Sequence, residues 1–185
     1  MTRLKDAVEH IAKAIISQKD YLNMLDKAIG DGDHGNNMAI GFTAALEDIE
    51  NMNDDGNPSK VLKAIGTAFS ENVGGAAGPL YAAAFNRASK ACDENTSFTI
   101  DSVIKVLGEA IEAIKKRGRV KPGEKTMLDV LLPVYEVFVK GKEKDMTLFQ
   151  CLGEASRAAK EGADYTRTIS ASKGRASYLG IRSIG

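Results

Sequence analysis

The chain has 185 residues and a mass of 19.8 kDa, long enough for one domain with a real core or a compact pair. Its 43% apolar and 27% charged composition is that of a globular chain, and the 25 basic residues equal the 25 acidic ones, with a pI near 6.7. That balance argues against a nucleic-acid or membrane-surface binder driven by a basic field. No apolar run approaches the ~18 residues of a membrane span. The opening residues Met1 to Asp6 lack the apolar core of a secretory signal, so the expected location is the cytoplasm. Cys92 and Cys151 are far apart and form no CxxC, which removes disulfides and cysteine-rich zinc sites.

The expected elements, in chain order, are helical almost throughout. Leu4, Val8, Ile11 and Ile15 recur three or four apart, as one buried stripe does. Tyr21, Leu22 and Leu25 predict a short second helix ending near Gly30, and Ile40, Ala44 and Ile49 a third. Asn57-Pro58 is a cap with proline in the first turn, opening a helix through Val61, Leu62, Ile65 and Phe69. Further helices are predicted over Leu80 to Ala91, over Ile100 to Ile114 ending at Arg117-Gly118, and over Met127 to Val139 with a bend at Pro133. Leu148, Cys151, Leu152, Ala155 and Ala159 mark a late one. With no convincing period-2 segment, the expectation is all-α: about eight amphipathic helices in an antiparallel up-and-down bundle or helical barrel. Three glycine-rich loops interrupt them, at 30–35, 74–78 and 118–123, more glycine than helix connections need.

Charge is split along the chain: residues 1–60 hold 11 acids and 6 bases, and residues 61–185 hold 14 and 19. Solvated helix faces often produce such a split, and so does a protein that gathers a cation with one end and phosphates with the other. The acidic part centres on Asp26-Lys27-Ala28-Ile29-Gly30-Asp31-Gly32-Asp33-His34-Gly35. Side chains of Asp31 and Asp33 can point to one side of an extended loop, and Asp26 can reach them from the preceding helix. Three converging carboxylates repel unless a hard cation lies among them, and oxygen-only ligands suit Mg²⁺. An EF-hand needs glutamate at loop position twelve, where Phe42 stands. The pattern G-x-G-x-x-G over Gly30, Gly32 and Gly35 lacks a preceding strand, and its aspartates would repel pyrophosphate. An Asx-rich turn with solvated carboxylates remains the simple alternative. His34 would lie beside any bound phosphate or metal; His10 reads as a structural or surface residue.

Gly74-Gly75-Ala76-Ala77-Gly78-Pro79 fits either backbone approach to an anion at a helix N-terminus or tight helix packing. Gly118-Arg119-Val120-Lys121-Pro122-Gly123-Glu124-Lys125-Thr126 nearly spells a P-loop, but Glu124 stands where lysine is required. Lys173-Gly174-Arg175 and Arg182 form a basic tail, which by default is a solvated terminus.

Together these segments resemble the nucleotide-binding L subunits of dihydroxyacetone kinases. The matching residues are Leu25-Asp26, Ile29 to Gly35, Asn37-Met38, Val73 to Ala76 with Gly78-Pro79-Leu80, Arg117-Gly118, Pro122 to Met127 with Asp129-Val130, and Lys173 to Gly180. The resemblance implies an antiparallel eight-helix barrel, one L-like domain over residues 1–185, with the nucleotide at one end. It implies that Asp26, Asp31 and Asp33 hold two Mg²⁺ ions bridging the phosphates of ADP or ATP. His34, Gly35, Asn36, Asn37, Ala76, Ala77, Gly118, Met127 and Arg175 would line the nucleotide site, with Arg175 as a bidentate phosphate partner. In that family a separate K subunit holds the sugar, and a phosphotransferase-system M subunit rephosphorylates bound ADP. The chain starts directly in L-like helices, so a stand-alone subunit of the phosphoenolpyruvate-dependent system is expected, with a homodimer as one assembly it could adopt. Three departures stand out: Ala77 replaces a usual serine, Ile181 replaces a usual glutamate, and the sequence stops at Gly185 before the family's closing segment. They keep two alternatives open, a non-catalytic regulatory or adaptor paralogue and a kinase subunit for another small carbonyl or fatty-acid substrate.

Overall fold

The computed structural model describes residues 4–52 and 57–185, and among these every regular element is helical. The reading of Met1-Thr2-Arg3 as lacking a signal lies outside the described residues. The chain divides into two compact units, residues 1–96 and 97–185.

The first unit contains α1 (Leu4–Ser17), α2 (Lys19–Lys27), α3 (His34–Glu50), α4 (Pro58–Asn72) and α5 (Ala77–Ser89). Val8 of the predicted α1 stripe is buried and Leu4 and Ile15 pack partly against the same core, but Ile11 is 55% exposed and Ala12, one position on, takes its place in the packed face. The Asn57 side chain accepts from the Ser59 and Lys60 N–H groups at 3.0 and 3.3 Å, with Pro58 in the first turn, as the sequence anticipated. Helix α5 begins at Ala77, three residues before the predicted start, because the chain turns helical as soon as the glycine pair ends. Phe69, fully buried, anchors the core: Phe42 meets it edge-on at 5.1 Å and Tyr81 lies at 5.2 Å. Burial among these groups pushes the Tyr81 phenol pKa up.

Helices α3, α4 and α5 run alternately up and down. A Cβ on Gly41 of α3 would meet Phe69 and Val73 at the far end of α4, while the Ser59 hydroxyl near the start of α4 donates to the Ser89 carbonyl at the end of α5 at 2.8 Å. The start of α3, the end of α4 and the start of α5 therefore share one end of this unit.

The second unit contains α6 (Ile100–Gly118), α7 (Leu128–Glu143), α8 (Leu148–Thr166) and a 3-10 segment, Arg175–Ser183. Reciprocal capping boxes open α6, through Thr99 and Ser102, and α8, through Thr147 and Gln150. Phe138, Cys151 and Ala155 form the centre of a separate core. Pro133 lies inside α7, where it removes the N–H that would reach the Asp129 carbonyl. Gly162 of α8 packs against that carbonyl so closely that a Cβ would lie 2.4 Å from it. No described helix is long and apolar enough to cross a membrane.

Candidate functional site

The acidic loop is organised by one of its own carboxylates. Helix α2 ends with the Ile29 and Gly30 N–H groups donating to the Asp26 carbonyl at 3.0 and 2.5 Å, and the chain then curls back over the Asp26 side chain. Asp26 Oδ2 accepts from the Gly32 and Asp33 N–H groups at 2.8 and 3.1 Å. The curl has no space for a side chain at position 30, where a Cβ would lie 2.1 Å from Asp26 Oδ1, and Gly32 adopts a φ of +75°. The two internal glycines thus serve the carboxylate's approach, a different use from the dinucleotide pattern they resemble.

That curl brings one carboxylate oxygen each from Asp26, Asp31 and Asp33 within 4.8 Å of one another, with Asp26 half-buried and the other two exposed. Each pair of like charges at that separation costs roughly 0.9 kcal/mol even in bulk water. The donor set is all oxygen, anionic and open on one side, which fits a small hard cation that keeps several waters. Asp33 precedes α3 without capping it through its side chain, so its carboxylate is not spent on the turn.

Helix α3 is held at its start by a residue from α2. Asn23 Oδ1 accepts the Asn36 N–H at 3.0 Å, and Asn23 Nδ2 donates to Asn36 Oδ1 at 3.1 Å. The Asn37 N–H makes its bond to the Asp33 carbonyl at 2.9 Å. Of the four residues His34 to Asn37 expected to line a nucleotide, Asn36 and Asn37 therefore use their backbone donors internally, and His34 and Gly35 carry the first N–H groups of the helix. Gly35 is buried with a Cβ position 1.9 Å from the Lys19 carbonyl, so it is a packing glycine of the α2–α3 crossing.

At the same end of this unit lies the loop from Val73 to Gly78. Here the two readings of its glycines separate. Gly78 packs tightly, with a Cβ position 1.9 Å from the Val73 carbonyl, whereas Gly74 and Gly75 have nothing within 4 Å. Gly75 adopts a φ of +65°, and Ala76 beside it is exposed. Ala77 is half-buried as the first residue of α5.

In the second unit, Gly118 is the last residue of α6 and Met127 immediately precedes α7. The backbone between them passes through positive φ at Arg119, Gly123 and Lys125. Asp129, 6% exposed, holds this path: its Oδ1 accepts from the Gly123 N–H at 2.5 Å and its Oδ2 from the Thr126 N–H at 2.8 Å. The Lys125 ammonium donates to the Thr166 carbonyl at 2.6 Å, so it is engaged with the end of α8. A helix precedes this loop, in keeping with the rejection of a P-loop. The Glu124 carbonyl accepts from the Ser172 N–H at 3.3 Å, and Lys173 lies 3.8 Å from the Glu124 carboxylate. The loop of Gly118 and Met127 is thereby joined to the segment carrying Arg175, which is exposed at the start of the 3-10 segment. That segment is tied down by hydrogen bonds rather than forming a loose terminus.

Sequence reasoning overlooked Asn23 and assigned no role to Asp129. A polar residue of low helix propensity inside a short helix was the available signal for the first. A carboxylate in the first turn of the helix that follows a glycine turn, six residues after Gly123, was the signal for the second.

Residues 28–185 match the DAK2 domain family, and the chain belongs to it. It is 38% identical over 169 residues to the PEP-dependent dihydroxyacetone kinase, ADP-binding subunit DhaL, of Escherichia coli K12, covering 91% of this chain and 80% of that one. It is 37% identical over 188 residues to the PTS-dependent dihydroxyacetone kinase, ADP-binding subunit DhaL, of Lactococcus lactis, covering 100% and 89%. Among solved structures, the dihydroxyacetone kinase from C. freundii in complex with AMP-PNP and Mg²⁺ superposes with a TM-score of 0.73 at 23% identity. That match covers 88% of this chain but only 28% of the solved one, so what is shared is the helical fold of a part of it. The expected all-α fold and the resemblance to the L subunits are both borne out.

Proposed function

We propose that this chain is the nucleotide-binding subunit of a phosphoenolpyruvate-dependent dihydroxyacetone kinase. It would act in the cytoplasm, transferring the γ-phosphoryl group of Mg-bound ATP to dihydroxyacetone held by a separate K subunit. The observation that carries this reading is the convergence of the Asp26, Asp31 and Asp33 carboxylates beside the start of α3.

In this reading Asp26, Asp31 and Asp33 hold two Mg²⁺ ions, whose charge offsets that of the phosphates in both ground and transition states. Asp26 also fixes the loop, so the carboxylates are in place before ligand arrives. His34 and Gly35 offer backbone N–H groups to phosphate at the start of α3, while Asn36 and Asn37 shape that turn. Gly74 and Gly75 leave open space for a phosphate to approach the backbone before Ala76 and Ala77. Ala77 lacks a hydroxyl, so this stretch binds through main-chain donors alone. From the second unit, Gly118, Met127 and Arg175 are assigned to the nucleotide, with the Arg175 guanidinium opposing phosphate charge. The protein's part is positioning: the γ-phosphorus–oxygen bond to the β-phosphate breaks as the substrate hydroxyl oxygen bonds to phosphorus. ADP stays bound and a phosphotransferase-system M subunit rephosphorylates it.

Titration calorimetry with ADP, with and without Mg²⁺, tests the binding step. Binding should require Mg²⁺ and be abolished in both Asp31→Ala and Asp33→Ala; unchanged binding in both variants refutes the site. Formation of dihydroxyacetone phosphate with K and M subunits then tests turnover, and nucleotide binding without turnover would point to the adaptor alternative.

A further inference from the structure

Thirteen residues from Ala171 to Ser183 leave the packed part of the second unit and return to it, with Arg175 between the two ends. A buried hydroxyl anchors the return. Ser183 is 2% exposed, and its Oγ accepts the Ala171 N–H at 2.8 Å while donating to the Gly180 carbonyl at 2.6 Å. Ala171 is itself buried, so the hydroxyl serves a backbone donor that water does not reach. Beyond it the Gly185 N–H donates to the Arg167 carbonyl at 2.9 Å. The backbone needs positive φ on both sides of the exposed part, +64° at Gly174 and +54° at Gly180, and Ser177 Oγ donates to the Gly174 carbonyl at 2.7 Å. Tyr178 and Ile181 on this path are 88% and 81% exposed and add little packing.

We propose that Ser183 is a positioning residue for Arg175: its hydroxyl closes the Ala171–Ser183 loop and presents the guanidinium in one orientation to the nucleotide phosphates. The inference rests on the function proposed above. An arginine on a loosely held loop loses much side-chain and backbone freedom when it meets a ligand, and a loop closed beforehand removes part of that cost. Serine suits the place because a small side chain with both donor and acceptor can bridge two backbone groups at once. Alanine would leave the buried Ala171 N–H without an acceptor, a loss that typically shifts a local equilibrium by about tenfold.

A double-mutant cycle on Mg-ADP affinity tests this, using Ser183→Ala, Arg175→Ala and the pair. Ser183→Ala is expected to weaken binding by about tenfold, and to add nothing further in the Arg175→Ala background. Trypsin cleavage after Lys173 and Arg175 in the ligand-free protein should accelerate in Ser183→Ala. Phe138→Leu, matched to it in loss of thermal stability, should leave both readouts unchanged. If Ser183→Ala fails to fold, Ser183→Cys keeps the volume with a much weaker donor and acceptor and should show the same pattern in smaller measure. Independent, multiplying effects of the two substitutions, no effect of either, or an equal effect of Phe138→Leu would overturn the proposal. A wild-type chain that binds no Mg-ADP would instead remove the functional reading on which it rests.

Discussion

Replacing Asp33 by asparagine separates a metal site from a turn. Asparagine keeps the shape and the preference for the position before a helix, and Asp33 makes no side-chain cap bond that the change would remove. What disappears is one negative charge among three whose oxygens lie within 4.8 Å. Two repulsive pairs at that separation amount to about 1.7 kcal/mol in water, or about 1 kcal/mol after screening at 0.1 M salt. Losing a carboxylate at the start of α3 forfeits about 0.3–1 kcal/mol of helix-dipole attraction. Without ligand the variant should therefore melt within about 3 °C of wild type, taking about 2–4 °C per kcal/mol. With Mg²⁺ and ADP at about a hundred times the dissociation constant, wild type gains about 2.7 kcal/mol, or about 5–10 °C, and Asp33→Asn gains none. The assay is a thermal melt of both proteins with chelator, with Mg²⁺, with ADP and with both. An equal ligand-induced rise in the two proteins refutes the metal role. A variant that is about 2 kcal/mol less stable without ligand would show that Asp33 belongs to the turn.

Other expectations follow from neighbouring contacts. Asn23→Ala removes the side-chain acceptor at the start of α3, so denaturant unfolding should show a loss of about 1 kcal/mol, accompanied by weaker Mg-ADP binding. Gly74→Ala meets open space and should change stability by less than about 0.5 kcal/mol while lowering ADP affinity; unaltered affinity would mean the backbone is not approached there. Gly162→Ala, by contrast, drives a methyl into the Asp129 backbone and should cost about 1–3 kcal/mol in chemical denaturation. The raised pKa of Tyr81, partly buried against Phe69, sets an alkaline limit. The unfolded phenol ionises from about pH 10 while the folded one stays protonated, so stability is lost as pH rises through that range. Tyr81→Phe should move the alkaline unfolding midpoint upward, and an unmoved midpoint would rule this contribution out.

Local order in this protein was readable from its residues. The Asn57-Pro58 start of α4 is made by contacts within three residues, and helical geometry places Leu4, Val8 and Ile15 of the α1 stripe toward the core, though Ile11 turns outward and Ala12 is buried instead. The three aspartates were readable for the same reason: eight residues of chain hold them, and a glycine between Asp31 and Asp33 permits the turn. The Gly74–Gly78 loop was not decided at that level, because packing and ligand glycines look alike until their neighbours are known. Gly78 lies against the Val73 carbonyl and Gly74 against nothing.

By itself, then, the sequence determined the helices, their caps and the acidic loop, since each depends on groups a few residues apart. Tertiary structure alone decided which side chains hold the functional loops at a distance. Asn23 reaches Asn36 across the α2–α3 crossing, Ser183 reaches back to Ala171, and Gly162 makes room for a carbonyl exposed by Pro133. These partners are separated by 12 to 33 positions, and no periodicity or propensity relates them. Only the packing of one helix or segment on another brings the donor to its acceptor, or the bare glycine to the backbone it must accommodate.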